Sequence, residues 1–188
     1  MPVAVAALIA AGAGCGGPTA PTPGTDSPAN MIENNDYEVD LAGVEPVNGA
    51  PAILARDNAH AMHGAWSVRV TTTDLEWSGV RPMRRLGPTF PYELFPITTG
   101  LTYCFSAWVY GTPTVVGKAM VIGISWRDSL NNRLAYVEGR YLLATGWQQF
   151  VVTGAPPGNA VYAATYVSQR PAQGVWDFWF DVPWFGRR

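Results

Sequence analysis

Trp108 and Tyr110 are two positions apart and fall on the same side of any extended stretch through them, as do Asp177, Trp179 and Asp181 nearer the C-terminal end. Flat rings beside planar polar groups match the chemistry of a sugar, whose C–H face stacks on an aromatic surface and whose hydroxyl edge takes hydrogen bonds. Trp108, Tyr110 and Trp179 are the candidate stacking surface. Asp177, Gln149 and the pair Glu138 and Arg140, which share a side of their own stretch with Tyr136, are the candidate edge contacts. The same outward rings equally suit the cover of a sheet by a loop, or a contact with a neighbouring subunit, and both readings stand.

Other chemistries find little to work with. There is no Gly-x-Ser-x-Gly elbow, no His-Glu-x-x-His pair and no phosphate-cradling glycine loop. The 14 acidic residues permit many carboxylate pairs, so pairs alone do not argue for glycoside hydrolysis. His60 and His63 are three apart in what reads as a loop, without a Cys/His cluster, so no zinc site is expected. The expectation is a non-catalytic protein.

The candidate residues need strands to hold them. Apolar alternation runs through Ala52 to Ala55, Trp66 to Thr72, Leu101 to Tyr110, Ala119 to Trp126, Leu134 to Leu143, Trp147 to Thr153, Val161 to Val167 and Val175 to Phe185. Turn-formers separate them, notably "RDSLNN" at Arg127 to Asn132, "ATG" at Ala144 to Gly146 and "GAPPGN" at Gly154 to Asn159. Many short strands without a helical period predict an all-β, antiparallel β-sandwich. Strict parity in the last strand places Trp176, Phe178, Phe180, Val182 and Trp184 on the core face. Trp66, Trp126 and Trp147 are assigned structural roles.

A chain of 188 residues that is 48% hydrophobic can bury one substantial core. Its formal net charge of −2 gives no electrostatic reason to expect nucleic acid, and Arg81, Arg84 and Arg85 read as a solvated loop. Cys15 and Cys104 lie in very different contexts, and no disulfide is read from them. Residues 1–30 form a separate segment, an apolar run to Ala13 followed by a Pro/Thr/Gly linker. The run is too short to span a bilayer. No Lys or Arg precedes Arg56, which favours a retained docking arm over an export or lipid-anchor segment acylated at Cys15.

The domain is expected to span residues 31–188, and over about residues 31–185 the order of motifs resembles the β-jelly-roll carbohydrate-binding modules of the galactose-binding-like superfamily, in particular the type appended to xylanases. "ENNDYEV" at Glu33 to Val39 looks like that family's opening Asn-Gly-x-Phe-Glu element, and "MHGAWSVRVT" at Met62 to Thr71 like its His-Ser-Gly-x-x-Ser-Leu-x-Val strand, with Met62 in the place of His. "TTGLTYCFSAWVYG" is similar to Pro-Gly-x-x-Tyr-x-Phe-Ser-Ala-Trp-Val, with Thr99 for proline. "ATGWQQFVVTGAPPGNA" and "VWDFWFDVPWF" resemble the family's later strands. The resemblance implies a two-sheet jelly roll with a glycan-binding concave face and no required cofactor beyond a structural calcium, whose ligand positions match Glu38 and Asp181. Domains similar to these also occur in phage tails and decorations. The likeness therefore implies a virion adhesion protein, such as a minor tail component, that assembles with other virion proteins through residues 1–30 and touches a host or cell-envelope polysaccharide. The alternative is a secreted lipoprotein carrying a polysaccharide-binding module.

Overall fold

Where apolar and polar residues alternate, the chain is extended and paired. The computed structural model describes residues 30–32, 34–47, 52–73, 77–83, 94–170 and 173–188. Among these the strands are β1 (Val44–Pro46), β2 (Ile53–Asp57), β3 (Ser67–Thr71), β4 (Gly79–Pro82), β5 (Phe95–Pro96), β6 (Tyr103–Gly111), β7 (Ala119–Arg127), β8 (Arg133–Leu142), β9 (Gly146–Gly154), β10 (Tyr162–Gln169) and β11 (Asp177–Arg187). All eight expected strands are present. The additional β1, β4 and β5 are short and rich in proline and charge, so they carry too few alternations to be read from sequence. Among the described residues no helix is long and apolar enough to cross a membrane.

The strands form two antiparallel sheets, ordered β1-β4-β10-β7-β8, with β5 also on β10, and β2-β3-β11-β6-β9. One apolar core fills the space between them. Phe105, Ala107 and Val109 of β6 and Phe178, Phe180 and Phe185 of β11 meet Met120, Ile122, Ile124 and Trp126 of β7 there. The all-β sandwich of the jelly-roll class is therefore the observed architecture. The last strand lies at the middle of the second sheet, between β3 and β6. Residues 30–32 run beside it: the Asn30 carboxamide accepts the Phe185 N–H at 3.0 Å and donates to the Pro183 carbonyl.

Parity fails once, in β11. Asp181 pairs with Trp108 but Trp184 pairs with Ser106, so the two intervening residues of β11 oppose one of β6. This is a β-bulge, and Val182 takes a φ of 45° within it. The bulge turns Phe185 inward to stack on Tyr103 at 5.7 Å, while Trp184 packs on Cys104 and Val151 at the outer face. Trp184 is thus corrected from the core face to the opposite one. Cys104 is fully buried and is not a free thiol. Arg81 is likewise corrected. It lies in β4 and pairs with Glu45 of β1, and Arg84 and Arg85 fall outside the described residues. The expected arm and linker, Cys15 included, also lie outside them.

Candidate ligand-binding cleft

The outer face of the first sheet is hollow because its middle strands carry small side chains and its flanks carry large ones. Gly123 and Ser125 of β7 point outward, in register with Tyr166 and Ala164 of β10, and Ser168 follows on the same side. On one flank, β8 presents Tyr136 opposite Ser125, Glu138 opposite Gly123 and Arg140 opposite Val121. Trp77 and Arg81 close the other flank, and the resulting cleft has a volume of about 400 Å³.

Gly123 lets the floor be this deep. The Tyr166 ring lies across it so closely that a Cβ there would sit 2.2 Å from Cζ. From that position the Tyr166 hydroxyl donates to Glu138 Oε1 at 2.7 Å. Burial first, then this hydrogen bond, pushes the Tyr166 phenol well above its usual range, so it stays a donor. The rims combine rings with guanidinium groups: Arg133 stands 5.6 Å from the Tyr136 ring centre and Arg170 5.9 Å from that of Trp77. Tyr136 is 57% exposed, an open stacking face. The floor hydroxyls of Ser125 and Ser168 are buried and have no hydrogen-bond partner among the described residues. A sugar hydroxyl laid in the cleft would meet such groups.

The predicted site residues divide between two sheets. Glu138 and Arg140 line this cleft. Trp108, Tyr110, Trp179, Asp177 and Gln149 share the outer face of the second sheet, with Tyr110 opposite both Trp179 and Trp147, and Trp108 opposite Gln149. The expectation that all seven serve one surface is corrected, because β8 and β6 lie in opposite layers. The second face is also covered. His60 lies flat on Tyr110 with ring centres 4.0 Å apart and meets Trp179 edge-on at 4.5 Å. Trp179 is only 7% exposed and donates its indole N–H to Asp57, while Asp177 accepts the Thr71 hydroxyl. Sequence reading missed Trp77, Arg81, Ser125, Arg127, Arg133, Tyr166 and Arg170 as a group. The available signal was the small residues on the outward parity of two long strands, Gly123 and Ser125, then Ala164 and Ser168, which mark a floor.

Glu38 and Asp181 do converge, on the loop before β3. Asp181 accepts the backbone N–H groups of Met62 and His63 on one oxygen and that of Val182 on the other, and Glu38 Oε1 accepts those of Ala65 and Trp66. Arg56 holds the segment from the other side, donating to the Tyr37 and Glu38 carbonyls while lying 4.0 Å from the centre of the Trp66 ring. Burial pushes the Asp181 carboxyl up to about 7 against the pull of those N–H groups, and the charge of Glu38 adds to the rise. Two hard carboxylates meeting one loop have the donor chemistry that calcium takes. Among the described residues no group of three or more His, Cys, Asp or Glu side chains could hold a metal, so further ligands from these residues would be backbone or carboxamide oxygens, with water.

The two-sheet jelly roll is the fold of solved β-sandwich carbohydrate-binding modules, to which this chain is similar. The C-terminal family 22 carbohydrate-binding module of Clostridium thermocellum xylanase 10B superposes with a TM-score of 0.64 at 17% identity, covering 86% of this chain and 95% of that one. A family 22 xylan-binding domain from Paenibacillus barcinonensis gives 0.61 at 14% identity over 82% of this chain and 98% of its own. The enzymatically active domain of bacteriophage CBA120 tailspike protein 4 gives 0.61 at 11% identity, covering 85% of this chain but 22% of that one. No family model matches the sequence, and no curated protein matches it.

Proposed function

We propose that the protein is a non-catalytic recognition domain that lays a polysaccharide chain along the cleft of the first sheet. The observation that carries this is the groove itself, a floor of small residues with two serine hydroxyls unpartnered among the described residues, between the rings of Tyr136 and Trp77. Support comes from the similar clostridial module, whose cleft is described in connection with ligand binding, and from the similar xylan-binding domain. The Tyr136 ring takes the sugar face, and Glu138, fixed by Tyr166, takes hydroxyl hydrogens.

The test is titration of a panel of soluble polysaccharides, xylan included, into the protein and into Tyr136→Ala and Trp108→Ala. Tyr136→Ala should weaken binding by about tenfold or more, equivalent to roughly 1.4 kcal/mol. Trp108→Ala, on the opposite sheet, should leave it unchanged. The reverse pattern would move the site to the second sheet, and no binding to any polysaccharide at millimolar concentration would overturn the reading.

The setting we propose is a phage virion, with residues 1–30 docking the protein to other virion components. The tailspike structure of the same fold and the uncharged apolar arm support it. We also propose a structural calcium between Glu38 and Asp181, which would tie the opening segment to β11.

A further inference from the structure

The cleft carries more positive charge than a neutral sugar requires. Five of the twelve basic residues of the chain, Arg81, Arg127, Arg133, Arg140 and Arg170, line it, although the protein as a whole is formally −2. Two carboxylates stand against them, and both are engaged: Glu45 pairs with Arg81, and Glu138 accepts the Tyr166 hydroxyl. No carboxylate among the described residues pairs with Arg127, Arg133, Arg140 or Arg170. Arg127 shows the imbalance most plainly. Its guanidinium donates to the carbonyl and side-chain oxygens of Asn131, but its Nε is buried without a partner. Burial first, and then the neighbouring charge of Arg133, lower its pKa. Like charges gathered in a partly desolvated groove cost free energy that an anion in the groove would recover.

Resting on the reading of the cleft as a glycan groove, we propose that its ligand is an acidic polysaccharide, one bearing carboxylates of the uronate type along the chain. Guanidinium groups recognise carboxylates by paired N–H donors, and four that no carboxylate among the described residues engages, beside two stacking rings, suit a chain of charged sugar rings. Nucleic acid also offers rings and negative charge. Against it stand the negative total charge and the shortness of the basic cleft, where a duplex or long strand would need a broader basic surface.

The experiment compares polygalacturonate with the same polymer after methyl esterification, which removes charge and keeps the backbone, by calorimetry in low salt and at physiological salt. The acidic form should bind about tenfold or more tightly than the ester, and its affinity should fall with salt. Arg140→Gln and Arg170→Gln, both at exposed positions, should each lower binding of the acidic polymer severalfold and that of the ester by less, so that the preference for the acid narrows. Equal binding of acid and ester, abolished in both by Tyr136→Ala, would overturn the acidic preference while the glycan groove stood. Failure of both polymers and of xylan would remove the groove reading itself. Single-stranded oligothymidylate binding as tightly as polygalacturonate would also overturn the proposal, by showing attraction to any polyanion.

Discussion

A methyl group at residue 123 would sit 2.2 Å from the Tyr166 ring, and the ring cannot give way without leaving Glu138. Gly123→Ala should therefore weaken polysaccharide binding and lower stability by about 1–3 kcal/mol, the usual cost of overpacking. Gly158→Ala, where nothing lies within 4 Å, is the control and should change neither. Calorimetry and urea unfolding read the two effects. Asp181 makes a second prediction at this scale. Its carboxyl is raised to about 7 from 3.8 in the fold, so its stabilising contribution is complete below the ordinary carboxylate range and is lost as pH rises through about 7. In the presence of a chelator, melting temperature should fall across that window, and Asp181→Asn should remove this part of the decline. Calcium, by favouring the ionised carboxylate, should raise the melting temperature most at the upper end of the window. A melting temperature indifferent to calcium at about pH 8 would refute the structural calcium.

Among the elements, β11 decides the most. It sits between β3 and β6, supplies Phe178, Phe180 and Phe185 to the core, and presents Asp181 to the loop before β3. Its bulge sets which residues face inward beyond Asp181, because one extra residue inverts the side-chain alternation. Deleting Pro183 removes the extra residue and should leave Trp184 opposite Ser106 and Phe185 opposite Phe105 in a regular pairing, each on its present face. Near-UV circular dichroism and urea unfolding should then stay native-like and cooperative; a loss of fixed packing would mean that the bulge itself is needed to seat Phe185. The strands of the cleft owe less to such irregularity. β7 and β10 pair without interruption over Tyr162 to Gln169, which keeps Gly123, Ser125, Ala164 and Ser168 on one outward face.

At the scale of the whole molecule, the two sheets share one core and give the protein two unlike outer faces. The first is hollow, basic and open; the second is covered by the loop that carries His60. In the proposed virion setting the polysaccharide meets the first, and residues 1–30 make the attachment. Removing residues 1–29, which keeps the Asn30 contacts to β11, should abolish incorporation into particles, measured by immunoblot of purified virions, with polysaccharide binding of the purified truncated protein as the folding control. Particles with a normal complement would refute the docking role. Local alternation was sufficient to read the eight longer strands, the sandwich and the outward parity of Trp108, Tyr110, Trp179, Glu138 and Arg140, since parity is a property of each strand by itself. Which sheet each strand joins is a matter of pairing between residues far apart in the chain, such as Trp179 with Tyr110 or Glu138 with Gly123. Only the tertiary structure could therefore separate the two groups of candidates, lay His60 over one of them, and gather five arginines from three strands and a loop around a floor of small side chains.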